Sequence, residues 1–220
     1  MILKGFLVLA IFIPASPALA QYQFESWTAD AGLPQNIITG LHQSRDGYLW
    51  ISTLDGLARF DGVRFTVFNK ANTPGIHTNR FTCFHADVKG ELWLGSEGGT
   101  VTRYARDRFV TYTAAHGLPA SSVWGFTGDQ AGNLWLLSGE QILRWDPPRE
   151  RFVVVNGPTI VRGYGVMTWS ERGGFWAVAQ EGLRRFVGGV FELHPMPQAL
   201  SAGAHYLAEG QDRTLYAAAA

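Results

Sequence analysis

Trp50, Trp93, Trp135 and Trp176 recur at steps of 43, 42 and 41 residues, and Tyr216 continues the series 40 further on. Each closes a variant of one phrase. The five are Asp46-Gly47-Tyr48-Leu49-Trp50, Lys89-Gly90-Glu91-Leu92-Trp93, Ala131-Gly132-Asn133-Leu134-Trp135, Gly173-Gly174-Phe175-Trp176 and Asp212-Arg213-Thr214-Leu215-Tyr216, of which the fourth reads as one residue shorter. Such a chain is an array of units that bury their apolar faces against one another. A period of about 40 with short strands and turn glycines is the signature of an all-β fold, the β-propeller of four-stranded antiparallel blades. Function in such a fold is sought on the face that the ring creates.

Aligned on the tryptophans, the first unit divides into strands over 37–43, 48–53, 56–60 and 64–68. Asp46-Gly47 before the second strand reads as a tight turn that tolerates positive φ, and Gly56 opens the third strand. With the four tryptophans these form the structural repeat. Strand three ends in an arginine and an aromatic each time: Arg59-Phe60, Arg103-Tyr104, Arg144-Trp145 and Arg185-Phe186. Neighbours on a strand face opposite ways, so the aromatic is placed to pack between blades and the arginine on the other side. Asp55, Glu97, Glu140 and Glu181 lie between strands two and three. They read as ion-pair partners of the following arginine, or else as an acidic ring at the channel mouth.

Residues 1–20 read as a secretory signal, with Lys4, an apolar run over 5–13 and Ala18-Leu19-Ala20 before the cleavage point. Residues 21–220 are then a partial propeller domain beginning at Gln21. Lysine plus arginine and aspartate plus glutamate number 18 each. That balance gives no electrostatic case for nucleic acid or an anionic membrane. Cys83 is the one cysteine, so no intramolecular disulfide is available, and its strand-like setting reads as a small buried apolar side chain.

Residues 24–27 with 30–34 match 109–112 with 116–119 at an offset of two repeats. Residues 23–28 are therefore expected to be an outer strand whose blade partners come from elsewhere, and the fifth unit ends within its second strand. The expectation is about four and a half blades, an incomplete ring and a fragment of a longer protein.

Three stretches of the first unit carry a resemblance to a known family. Gly32-Leu33-Pro34-Gln35-Asn36-Ile37-Ile38, Asp46-Gly47-Tyr48-Leu49-Trp50-Ile51-Ser52-Thr53 and Asp55-Gly56-Leu57-Ala58-Arg59-Phe60-Asp61-Gly62 strongly resemble the two-component regulator propeller repeat. The resemblance extends over residues 22–220, with weaker agreement in units four and five. It implies an exported, periplasmic sensing region, followed in the intact protein by the rest of the propeller and a transmembrane and output region such as a histidine kinase or diguanylate cyclase. It also implies a small ligand, often a carbohydrate fragment. Homodimerisation is a further expectation.

The six histidines show no zinc-binding spacing, and no nucleophile elbow, phosphate loop or dinucleotide fingerprint occurs. No catalytic residue, metal or cofactor is expected in this chain. Two rivals stay open: an exported binding platform of another kind, and an enzyme resembling streptogramin lyase, whose repeats also carry a Gly-x-x-Trp strand. Ligand selectivity is expected at positions before strand one that vary between blades. These are Asn36, Asn79, Arg80 and Arg162, with Trp124 and Tyr164 just inside as stacking platforms.

Overall fold

The computed structural model describes residues 25–160, 167–170, 173–195 and 204–219. The proposed signal peptide, Arg162 and Tyr164 lie outside these residues. Among the described residues the chain forms four four-stranded antiparallel sheets and one hairpin. The first sheet is β1 (Ile38–Gln43), β2 (Leu49–Thr53), β3 (Gly56–Phe60) and β4 (Phe65–Phe68). The second is β5 (Phe81–Ala86), β6 (Leu92–Ser96), β7 (Val101–Ala105) and β8 (Arg108–Tyr112). The third is β9 (Val123–Gly128), β10 (Leu134–Ser138), β11 (Gln141–Asp146) and β12 (Arg151–Val154). The fourth is β13 (Met167–Trp169), β14 (Phe175–Ala179), β15 (Gly182–Val187) and β16 (Val190–His194), and the hairpin is β17 (Ala204–Glu209) with β18 (Leu215–Ala219). Strands follow in chain order within each sheet, and β1, β5, β9, β13 and β17 stand side by side. That is the fan of blades expected from the tryptophan period. Among the described residues no helix is long and apolar enough to cross a membrane.

The tryptophans hold the fan together. Each lies on the second strand of its blade and is buried. Trp50 meets Tyr104 at 4.9 Å, Trp93 meets Trp145 at 5.2 Å and Trp135 meets Phe186 at 4.6 Å between ring centroids. Every contact joins strand two of one blade to the strand-three aromatic of the next, so the repeat unit is also the interface unit. Such aromatic pairs add about 0.5–1.5 kcal/mol beyond area burial.

The arginines behave differently from the ion-pair expectation. Arg59, Arg103, Arg144 and Arg185 are the cross-strand partners of Trp50, Trp93, Trp135 and Trp176. Their guanidinium carbons lie 5.6, 5.3, 6.0 and 5.8 Å from those indole centroids, a cation–π ladder repeated in every full blade. Asp55 instead accepts from Asn79, Glu97 pairs with Arg80 and Glu181 pairs with Arg184, while Arg103 takes Glu91 through two bonds of 2.8 Å. Register explains the change. The acid sits in the hairpin turn, whereas the arginine lies three residues beyond Gly56 or its equivalent, roughly 10 Å up the strand.

The turn before strand two is the same in all five units. In the first, the Ser44 N–H bonds Tyr48 O and the Gly47 N–H bonds Ser44 O, both at 2.9 Å. The fourth repeats it through Ser170, Gly173 and Gly174, so the shortening read from the sequence is absent. The left-handed position is Gly47, Gly90, Gly132 and Gly173 in four units, and Arg213 takes it in the fifth with φ 66°. Six residues before the tryptophan, the carboxylates of Asp87 and Asp129 accept the turn N–H groups and also the indole N–H, at 3.1 Å to Trp93 and 2.9 Å to Trp135. Trp176 donates to Glu209 of the following hairpin at 2.7 Å.

Residues 25–28 pair with no strand, as expected of an outer segment whose blade partners come from elsewhere. A lone extended segment has no ladder in which to satisfy its backbone groups. Trp27 instead packs on Phe60 at 5.1 Å.

Candidate functional site

Among the described residues, four of the five innermost strands share one irregularity. In β1 the partners step from Ile38↔Thr53 to Gly40↔Ser52, which leaves Thr39 as an extra, bulged residue. Thr82 in β5, Trp124 in β9 and His205 in β17 are bulged at the same place, always eleven residues before the repeat aromatic. A bulge re-aims the side chain it carries and bends the strand around it. Here Thr39, Thr82 and Trp124 all line one cavity of about 450 Å³ at the beginning of the inner strands. The volume falls in the range of about 300–1,000 Å³ that holds small ligands.

The bulged threonines are held by hydrogen bonds, one between neighbouring blades and one within a blade. Thr82 Oγ1 donates to Val123 O at 2.6 Å, across from β5 to β9, and Thr39 Oγ1 and Ser52 Oγ lie 3.0 Å apart. Burial pushes the Cys83 thiol up to about 12, so the sulfur in the cavity wall stays protonated and unreactive. The remaining wall is aromatic and aliphatic, from Phe84, Phe126, Leu137, Met167 and Tyr206.

Of the selectivity positions expected from the sequence, Trp124 lines this cavity. Asn36, Asn79 and Arg80 are not among its lining residues and have structural partners. Asn36 Oδ1 accepts the Ala29 N–H at 2.7 Å, and Asn79 bridges the Lys70 N–H at 2.9 Å and Asp55 at 3.1 Å. Arg80 pairs with Glu97, both more than half exposed, a contact worth at most about 1 kcal/mol. Trp124 apart, the residues at this shared bulge position escaped sequence reasoning. Its signal was present, since Thr39, Thr82, Trp124 and His205 differ where the scaffold positions agree.

His42 and His85 occupy equivalent places on β1 and β5, opposite Trp50 and Trp93. Burial holds both imidazoles below the ordinary value of 6.5; at His85 the His42 cation adds to this and Asp87 opposes it. A histidine whose folded pKa is depressed binds its proton more readily when unfolded, so stability falls with pH from about 6.5 down to the folded value. Chemical denaturation between pH 7.5 and 5 is therefore expected to show a declining midpoint. His85→Phe is expected to flatten the decline; an equally steep one would place its origin elsewhere.

Residues 32–55 match the two component regulator propeller. This regulator-propeller repeat contains the start of the first blade and its Trp50. Histidine kinase P4 of Formosa agariphila is 36% identical over 69 residues, which is 31% of this chain and 5% of that protein. The extracellular domain of the hybrid two component system BT3049 from B. thetaiotaomicron superposes with a TM-score of 0.65 at 17% identity, covering 85% of this chain and 26% of that one. Virginiamycin B lyase of Staphylococcus aureus, solved with quinupristin, also gives a TM-score of 0.65 at 17% identity, covering 85% of this chain and 65% of that one. At such identities both structures establish the propeller fold alone. The chain spans only a fraction of the length of each of these relatives.

Proposed function

We propose that this regulator-propeller chain is the input region of a transmembrane sensor, binding a small molecule on the periplasmic side of the inner membrane and doing no chemistry on it. The observation that supports this reading most is the match of residues 32–55 to the two component regulator propeller, in the same chain as 36% identity over 69 residues to a histidine kinase. A shared fold with the extracellular domain of a hybrid two component system is in keeping with an exported position. The ligand sits at the ring mouth, where bulged residues that vary between blades converge, and the signal passes through the rest of the intact protein to its output region. Cys83, held protonated, and a wall of hydroxyl, aliphatic and aromatic groups suit retention of a ligand better than its turnover.

A propeller lyase is the rival, favoured by the fold shared with virginiamycin B lyase. Incubation with quinupristin, followed by mass spectrometry, separates the two. Recovery of intact quinupristin is expected, and its conversion to a cleaved product would overturn the non-catalytic reading. In the host, disruption of the gene is expected to abolish transcriptional induction by some growth condition; a transcriptome unchanged across conditions would count against the sensor.

A further inference from the structure

We infer that the cavity at the ring mouth selects an uncharged, largely apolar ligand with a flat ring system, rather than a sugar; this rests on the ligand-binding reading above. Four aromatic side chains, Phe84, Trp124, Phe126 and Tyr206, face it together with Leu137 and Met167, and its described lining carries no charged or carboxamide side chain. The two threonine hydroxyls in that lining are already engaged, which leaves the Tyr206 phenol as its other hydroxyl. Thr82 Oγ1 donates to Val123 O at 2.6 Å, and Thr39 Oγ1 is 3.0 Å from Ser52 Oγ. A sugar arriving here would bring several hydroxyls to a wall with few unengaged polar groups. Each one buried without a partner lowers affinity about tenfold or more. An apolar ring exchanges water for aromatic and thioether contacts and loses nothing of the kind.

The floor of the site gives it shape. Gly125 lies between Trp124 and Phe126 on β9, and a Cβ built on it would meet nothing within 4 Å. The missing side chain leaves open space beside two aromatic residues of the lining, where a flat ring can be accommodated. The same open space makes Gly125 a position where a side chain can be added to the cavity lining.

The test is titration of the full chain with N-phenyl-1-naphthylamine, an uncharged aromatic fluorophore, with glucose and maltose as competitors. Saturable fluorescence at one probe per chain, undisturbed by either sugar, is the expected result. Gly125→Phe is expected to weaken probe binding at least tenfold with the circular dichroism spectrum retained, and Gly125→Ala, the milder variant, to weaken it less. Saturable sugar binding that disappears in Gly125→Phe would overturn the apolar assignment while leaving the ligand-binding reading intact. Probe binding that is absent, or indifferent to both substitutions, would overturn the assignment of the site itself; the quinupristin and gene-disruption results stand independently of it.

Discussion

Replacing Trp93 by alanine is expected to destabilise the protein by about 3–5 kcal/mol, as for other fully buried large aromatics. Trp93 is 1% exposed and lies where two blades meet. It contacts Tyr112 of its own blade at 6.1 Å and Trp145 and Phe152 of the next at 5.2 and 6.2 Å, with the Arg103 guanidinium 5.3 Å from its ring. Truncation removes this burial, opens a cavity between sheets that cannot close without moving a blade, and takes the indole donor from Asp87. Trp93→Phe keeps most of the apolar contact and is expected to cost less than half as much. Denaturant titration monitored by circular dichroism measures both. A loss below about 1 kcal/mol for the alanine variant would mean that the tryptophan ladder does not hold the blades together.

The second large effect is expected at Gly75, in the connection between the first two blades. Its φ is +88°, and a Cβ added there would lie 2.0 Å from Phe109 O and 2.7 Å from the Phe109 carbonyl carbon, both backbone atoms of β8. The same contact is stitched by Thr111 Oγ1, which donates to Gly75 O at 2.6 Å. Gly75→Ala therefore combines left-handed strain, about 1–3 kcal/mol, with overpacking that forces the backbone apart, about another 1–3 kcal/mol. Gly47→Ala is the matched control. Its φ is +89° but its Cβ would meet nothing within 4 Å, so only the conformational cost of about 1–2 kcal/mol is expected. Equal losses in the two variants would show that the Gly75–Phe109 approach is not a constraint on the fold.

Much of the scaffold was legible because the repeat multiplies every local signal. In the first blade β3 falls on 56–60 as read, and the other three strands each begin one residue later than read and end as expected. Alternation along strand three correctly sent its aromatics to the blade interface. The arginines and acids were misread for a physical reason. Closeness along the chain suggested a pair, whereas antiparallel register puts the arginine opposite the tryptophan and leaves the acid at the far end of the hairpin. The fourth turn was misjudged similarly: its sequence lacks the Asp-Gly pair, yet its hydrogen bonds and left-handed glycine reproduce the others.

The site was less legible than the scaffold. Trp124 was singled out as a stacking platform, but the position that brings Thr39, Thr82 and Trp124 to one cavity emerges only from pairing, because a bulge is a property of two strands. The sequence by itself determined the array, the blade length, the buried tryptophans and most of the turns, all of which follow from residue types at fixed spacing. The tertiary structure alone decided which side chains converge across blades and how much polar capacity their wall retains. Convergence depends on how separate sheets are set around a common axis, and that packing has no counterpart in any one unit of the repeat.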